Sequence, residues 1–281
     1  VSSGQAAMAR DFVLDWIEQR LCDGAQGAAP QALAEAGHLQ PLLMSAAVLS
    51  PAIDPGVLAR ALDLDRRRLA GALAEAVERG FLDFASQSRL VFRDEDLARR
   101  AYAAIPEGAR ATLHRRAAEA LSDGGPGNGR CGGIARHFEL ACDWKQALAW
   151  RRAAAKRASD GGQRTAAVEH LQRALKLCGR DGLHPSPRQE LEILGLLGPL
   201  LSQRDGSGSA AVFAIYARCL EIVDAFDAKE VTDRFDALWG LAACVLVHGR
   251  VDTALELSRR LLESSERDGD TARQILAFRL A

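Results

Sequence analysis

The 281-residue chain has little of what marks the extreme protein classes. Only 5% of its residues are aromatic, four are lysine against 32 arginine, and the formal net charge is −1 at pH 7. This balance gives no global attraction to nucleic acid or anionic lipid, and leaves room only for a local basic patch. No apolar run reaches membrane-spanning length and the first residues lack a secretory signal, so we expect a cytoplasmic protein.

Cysteine is scarce and scattered, and no Cys-x-x-Cys pair occurs among Cys22, Cys131, Cys142, Cys178, Cys219 and Cys244. This spacing favours buried reduced thiols over a disulfide framework. Zinc on Cys131, His137 and Cys142 is an alternative, but no fourth ligand lies nearby, so we favour buried thiols and an interhelical histidine. We interpret His114 and His170 as ordinary helix residues.

The sequence also lacks the motif Gly-x-x-x-x-Gly-Lys-Ser/Thr, whose glycine loop and lysine cradle phosphates. We therefore do not expect this chain to hydrolyse ATP. The acidic run Asp94–Asp96 has no histidine, serine or cysteine partner in triad-like order, and we interpret it as a helix N-terminus whose acids complement the helix dipole. We predict no enzyme activity, no cofactor and no metal in this chain.

Amphipathic helices dominate what is present, which predicts a mainly all-α fold. The clearest unit is Asp236–Leu262, two helices broken at His248-Gly249. Its small and apolar residues recur at three- and four-residue spacing: Ala242, Val245, Val251, Ala254, Leu255, Ser258 and Leu262. Such hairpins stack on one another, and stacked helix pairs bind other molecules more often than they transform them.

An earlier stretch predicts a winged helix with a small β-hairpin. Three short helices are expected first, at Leu39–Leu49, at Pro55–Leu62 after the cap Asp54, and at Arg66–Arg79 after the cap Asp65. The apolar runs Phe81–Phe84 and Arg89–Phe92 follow as two strands joined by a polar link.

These patterns divide the sequence into four segments. Residues 1–37 hold a helix at Ala6–Cys22 and a linker, 38–105 the winged-helix subdomain, 106–133 a linking helix and a glycine-rich break, and 134–281 an irregular tetratricopeptide-like α-solenoid. The 20-residue spacing from Ala147 to Ala167 is shorter than the roughly 34 residues of a regular unit. The last helix, from Asp270, has no capping helix, so we expect the array to be truncated.

This order of elements resembles the region after the ATPase core in bacterial signal-transduction ATPases with numerous domains, the STAND type. The stretches that carry it span roughly residues 39–281 and are 43–49, 90–102, 110–118, 135–137, 147–150 and 238–241. The resemblance implies a sensor or docking surface attached to a nucleotide switch, with ATP or ADP bound only in a domain that this chain lacks. The abundance of arginine and alanine suggests a GC-rich bacterial genome.

The resemblance leaves the output of the longer protein open between a nucleotide cyclase and a DNA-binding domain. The region from Pro187 onward looks closest to the cyclase-linked versions. Members of the family often carry a histidine just after the Phe-Arg strand, where this chain has Asp94–Asp96. We therefore expect no nucleotide contact from this winged helix.

Our leading interpretation is a non-catalytic regulatory region, in which a protein partner or small effector binds the repeats and biases the nucleotide switch. One alternative is a transcriptional regulator whose winged helix contacts DNA phosphates through Arg66, Arg67, Arg68 and Arg89. Another is the regulatory tail of an adenylate or guanylate cyclase. We expect no membrane partner.

Four aromatic residues are candidates for a recognition groove on the repeats, since aromatic anchors carry much of the binding energy at such surfaces. They are Trp144, Trp150, Tyr216 and Trp239. Packing between the helices of the core is the interpretation that we favour for all four.

Overall fold

The computed structural model describes residues 36–86, 89–123, 130–180, 183, 186–225 and 234–279. The predicted helix Ala6–Cys22 lies outside these ranges. The described chain is mainly helical with one two-stranded antiparallel hairpin, which confirms the predicted fold class. It divides into two compact units, residues 1–154 and 155–281. Among the described helices, none has the length and apolarity needed to cross a bilayer.

The described part of the first unit begins with a short 3-10 turn and three helices: α1 (Gln40–Val48), α2 (Pro55–Leu62) and α3 (Arg66–Glu78). Both predicted caps are confirmed. The Asp54 carboxylate accepts from the N–H of Gly56 at 2.9 Å, and the Asp65 carboxylate accepts from the N–H of Arg68 at 2.8 Å. Each acid satisfies backbone donors that the first helical turn leaves unpaired.

The hairpin consists of β1 (Leu82–Ser86) and β2 (Arg89–Phe92), with Leu82 opposite Phe92 and Phe84 opposite Leu90. Strand β1 starts one residue later than predicted. The N–H of Phe81 is used to end α3, where it donates to the carbonyl of Ala76 after the left-handed Gly80. Leu82 and Leu90 point into the core, whereas Phe84 remains 59% exposed.

Four helices follow: α4 (Glu95–Ala103), α5 (Glu107–Ser122), α6 (Cys131–Leu140) and α7 (Trp144–Asp160), whose last residues belong to the second unit. Asp94 accepts from the N–H of Asp96 at 2.9 Å, so the acidic run is a capped helix start as predicted. Helix α6 begins three residues before the predicted Ile134. Burial of Cys131 and Ile134 outweighs the low helix propensity of the intervening glycines.

Six further helices lie in the described residues of the second unit, and from α8 to α13 each packs against the next. They are α8 (Arg164–Cys178), α9 (Pro187–Asp205), α10 (Ala210–Ala225), α11 (Arg234–Val247), α12 (Val251–Asp268) and α13 (Thr271–Phe278). Helix α9 opens with a capping box between Ser186 and Gln189 and contains Pro199. The three- and four-residue spacing of Val212, Ile215, Cys219, Ile222 and Phe226 predicts a buried stripe. The first four are buried in α10, and Phe226 lies outside the described residues.

Two predicted apolar faces are corrected. Val251 is 53% exposed, and α12 instead buries Leu257 and Leu261 beside Ala254 and Ser258. Apolar residues cover a wide arc of this helix, so spacing alone does not identify which part of the arc meets the neighbour. The stretch Leu191–Leu201 is apolar nearly all round, which predicts a deeply buried helix, yet Leu196 of α9 is 54% exposed.

Helices α7, α8 and α12 share one register: their buried residues lie at the same sequence distances from a left-handed residue in the turn before each helix. These residues are Cys142, Gly162 and Gly249, with φ between 54° and 70°. In every case the N–H of the next residue donates to the carbonyl five positions back, at 2.7 to 3.0 Å. This bond is the Schellman closure of a helix end.

The register then continues along each helix. Five residues after the left-handed position stands a buried alanine: Ala147, Ala167 and Ala254. Nine residues after it stands another fully buried residue: Arg151, Leu171 and Ser258. The two buried positions are four residues apart in each helix, so the same helix face points inward in all three hairpins.

Candidate functional site

The arginine triplet predicted to contact phosphate lies on the exposed first turn of α3, where Arg66, Arg67 and Arg68 are all solvent-accessible. The structure places a carboxylate within the same turn. Asp65 accepts from the N–H groups of Arg67 and Arg68, and its Oδ2 lies 3.4 Å from Nε of Arg68. This carboxylate occupies the backbone donors that would otherwise bind an anion.

The predicted wing contact, Arg89, is half-buried at the first position of β2. On the paired strand Asp83 is exposed, and its carboxylate accepts from the N–H of Phe84 at 2.8 Å. The hairpin therefore presents both signs of charge. A phosphate backbone meeting this surface would encounter a carboxylate on the helix and another on the hairpin, which opposes binding.

The four candidate groove aromatics are divided between the two units. Trp144 and Trp150 lie half-buried on α7, about 120° apart around a helix of 3.6 residues per turn. Tyr216 on α10 and Trp239 on α11 belong to the second unit, where Trp239 is half-buried and Tyr216 is 8% exposed. The two tryptophans of α7 therefore do not form one stripe, and Tyr216 is a core residue.

Two glycines on the neighbouring helices leave room for the ring of Tyr216. A methyl group on Gly198 of α9 would lie 2.8 Å from the tyrosine ring, and one on Gly240 of α11 would lie 2.1 Å from it. Only glycine lets these helices approach the ring so closely, although glycine is a poor helix former. Sequence inspection gives no sign of this contact, because nothing in the spacing pairs residues 198, 216 and 240.

Gly240→Ala is expected to lower the free energy of unfolding by about 1–3 kcal/mol, since the added methyl group overpacks the ring. Gly195→Ala on α9 is the matched control, because its Cβ would meet nothing within 4 Å. That change should be stabilising by up to about 1 kcal/mol through helix propensity. Urea denaturation of both variants checks the pair, and equal effects would contradict the packing explanation.

Sequence reasoning missed a buried polar chain that joins three helices of the first unit. The hydroxyl of Tyr102 on α4 lies 2.8 Å from Nε2 of His114 on α5. Nδ1 of His114 lies 2.9 Å from Nδ1 of His137 on α6. Both imidazoles are more than nine-tenths buried. One facing nitrogen must carry the proton and the other must accept it, so the two rings specify each other's orientation.

The surroundings of His114 keep its imidazole neutral. Burial, followed by the positive charges of Arg136 and Arg110, lowers the pKa of His114 to about 4. The guanidinium of Arg110 lies 5.6 Å from the centre of the Tyr102 ring and donates to the carbonyls of Ala103 and Ile105. Both imidazoles are buried away from any substrate, and their hydrogen bonds hold α4, α5 and α6 together.

A second buried polar contact fixes the α6–α7 hairpin. Arg151, only 1% exposed, donates from Nε to Oε1 of Glu139 at 2.6 Å and from a terminal nitrogen to Oε2 at 3.1 Å. This is the two-pronged geometry that suits a guanidinium and a carboxylate. Arg151 occupies the register position that holds Leu171 in α8 and Ser258 in α12.

The alternative zinc site is not supported. Cys142 is exposed in its turn while Cys131 is buried, and His137 is engaged with His114. Across the ranges that the structure describes, no group of three histidine, cysteine, aspartate or glutamate side chains is placed to hold a metal ion. No protein-family model and no curated protein matches the chain.

Proposed function

We propose that this chain is the non-catalytic regulatory and interaction region of a bacterial cytoplasmic signal-transduction ATPase of the STAND type. The observation that carries the proposal is the common register of α7, α8 and α12, which repeats one helical-hairpin unit as a tetratricopeptide-like array does. Three helices followed by a hairpin support the winged-helix part. ATP or ADP would bind in a domain outside this chain.

In this proposal a protein partner or small effector binds the helical repeats and stabilises one of two states of the nucleotide switch. Binding moves such an equilibrium only by its difference in affinity for the two states. The hydrogen bonds of Tyr102, His114 and His137 support a role for α4, α5 and α6 as a rigid connection, because buried hydrogen bonds between three helices resist continuous deformation.

The test is ATP turnover by the longer protein that contains this chain. Gly240→Ala perturbs the packing of the second unit and should change the turnover rate, whereas Gly195→Ala should leave it unchanged. Equal rates in wild type and both variants would contradict a regulatory role for the repeats. Production of a cyclic nucleotide by the longer protein would identify the cyclase-linked version.

The alternative of a DNA-binding regulator is tested on the chain itself. It requires duplex binding that weakens with salt and is lost when Arg66, Arg67 and Arg68 are all changed to alanine. The capping carboxylate of Asp65 argues against it. Fluorescence polarisation with a labelled duplex decides between the two.

A further inference from the structure

Helix α13 packs against α12 but carries its larger apolar side chains on the outside. Ile275 is 59% exposed, Leu276 38% and Phe278 67%, whereas Ala277 is buried. Apolar side chains that are exposed singly are normal on protein surfaces. Here Ile275, Leu276 and Phe278 stand within four positions of one helix, so together they form an apolar strip.

The positions of this strip are buried in another helix of the same unit. Helix α13 begins as α8 does, because Gly269 before it is left-handed and the preceding helix is closed by the same backbone bond. Six and nine residues after its left-handed glycine, α8 carries Val168 and Leu171, each 1% exposed. The same offsets in α13 lead to Ile275 and Phe278. The strip therefore has the composition of a packing surface, although it is open to solvent.

The charges beside the strip have opposite signs at the two ends of α13. Arg279 is exposed directly after the helix, and Glu266 is exposed in the last turn of α12, three residues before Gly269. Within the part of the chain that the structure describes, neither side chain takes part in an ion pair. Asp270 adds a carboxylate at the same end as Glu266, where it caps α13 by accepting from the N–H of Arg273 at 3.1 Å.

These features match a second copy of the same helix in the antiparallel direction. Pairing centred on Ile275 would set Phe278 of one copy over Ala272 of the other, which is small and exposed. It would also bring Arg279 of each copy to the turn that carries Glu266 in the other. A parallel arrangement would instead place the two arginines side by side, and like charges oppose association. One helix thus supplies both halves of each match, as a two-fold contact requires.

We propose that α13 is a self-association surface, on which a second copy of this chain packs its own α13 antiparallel. The same patch is used by both copies, so the contact closes at a dimer and does not continue into a polymer. Helix α13 is only about 12 Å long at 1.5 Å per residue, so the interface is small and the dissociation constant should be on the order of micromolar. This proposal does not depend on the proposed regulatory function.

The experiment is sedimentation equilibrium of the full chain, from nanomolar to high micromolar concentration. The test variant is Phe278→Ser. Its matched control is Phe84→Ser, because Phe84 is also 59% exposed but lies on the hairpin of the first unit. The wild type and the control should show the same monomer–dimer equilibrium. Phe278→Ser should raise the dissociation constant by about 30-fold or more, the loss typical of a central aromatic anchor.

A second pair of variants tests the antiparallel direction without changing the apolar strip. Arg279→Glu sets a carboxylate against Glu266 of the other copy and should weaken the dimer by up to about fivefold. Arg279→Glu combined with Glu266→Lys exchanges the two charges in every copy and should restore the wild-type dissociation constant. Both positions are exposed, so neither change should unfold the chain. If circular dichroism shows that Phe278→Ser loses helix content, this pair decides the question.

Four results would overturn the proposal. A wild type that stays monomeric at every concentration would leave the strip to a different partner. A dissociation constant that Phe278→Ser leaves unchanged would place the contact elsewhere on the chain. Species larger than a dimer would indicate a contact that does not close. A double charge variant that associates no better than Arg279→Glu would rule out the antiparallel arrangement.

Discussion

Glu139→Ala should lower the free energy of unfolding by about 3–5 kcal/mol, because it removes one partner of a buried ion pair. The reason lies in its partner. Arg151 is 1% exposed and its guanidinium has both prongs on this carboxylate, so removing Glu139 leaves a positive charge in a site closed to water. Chemical denaturation followed by circular dichroism measures the loss.

The control removes the pair together. Arg151→Leu combined with Glu139→Leu places at position 151 the residue that α8 carries at the equivalent position, Leu171, which is also fully buried. Replacement of both charges by apolar groups is often neutral or stabilising. The double variant should therefore recover most of the stability that Glu139→Ala loses. A double variant as unstable as the single one would rule out the buried-charge explanation.

Acid should destabilise the first unit through His114. Its pKa is about 4 in the folded chain, against 6.5 when exposed. As pH falls below 6.5 the unfolded chain takes up a proton that the folded chain does not, so stability declines progressively down to pH 4. The integrated loss for this one group is about 3 kcal/mol, with about half of it complete by pH 5.5.

Carboxylates titrate over part of the same range, so the measurement compares wild type with His114→Gln. Urea denaturation at pH 7, 5.5 and 4 should show a steeper decline for the wild type, and the difference between the two slopes is the contribution of His114. The variant will be less stable at pH 7 because it breaks the bonds to Tyr102 and His137. Parallel pH profiles would contradict the assignment.

The sequence predicted the starts of helices well where a single residue determines the local backbone conformation. Asp54 and Asp65 each begin a helix because a short carboxylate reaches its own backbone donors, and that chemistry requires no knowledge of the rest of the fold. Helix α2 has the predicted bounds because Asp54 caps its first turn and the left-handed Asp63 ends it.

Contacts between distant residues could not be predicted in this way. The spacing of His114 and His137 says only that each lies on a helix, and their hydrogen bond depends on how α5 packs against α6. The same holds for Gly198 and Gly240, whose approach to one tyrosine is a property of three helices together. For Tyr216 the favoured interpretation of core packing is confirmed, but the glycines that enclose its ring could not be inferred from any local pattern.

The ion pair of the α6–α7 hairpin has a consequence for how the chain assembles. Hairpins that share a register present nearly identical inner faces, so during folding one could dock where another belongs. Arg151 breaks this equivalence, because its buried guanidinium pairs with Glu139 of the facing helix, whereas α8 carries Leu171 and α12 carries Ser258 at the same position. The three different residues at this one inward position thus favour the pairing of each helix with its own neighbour.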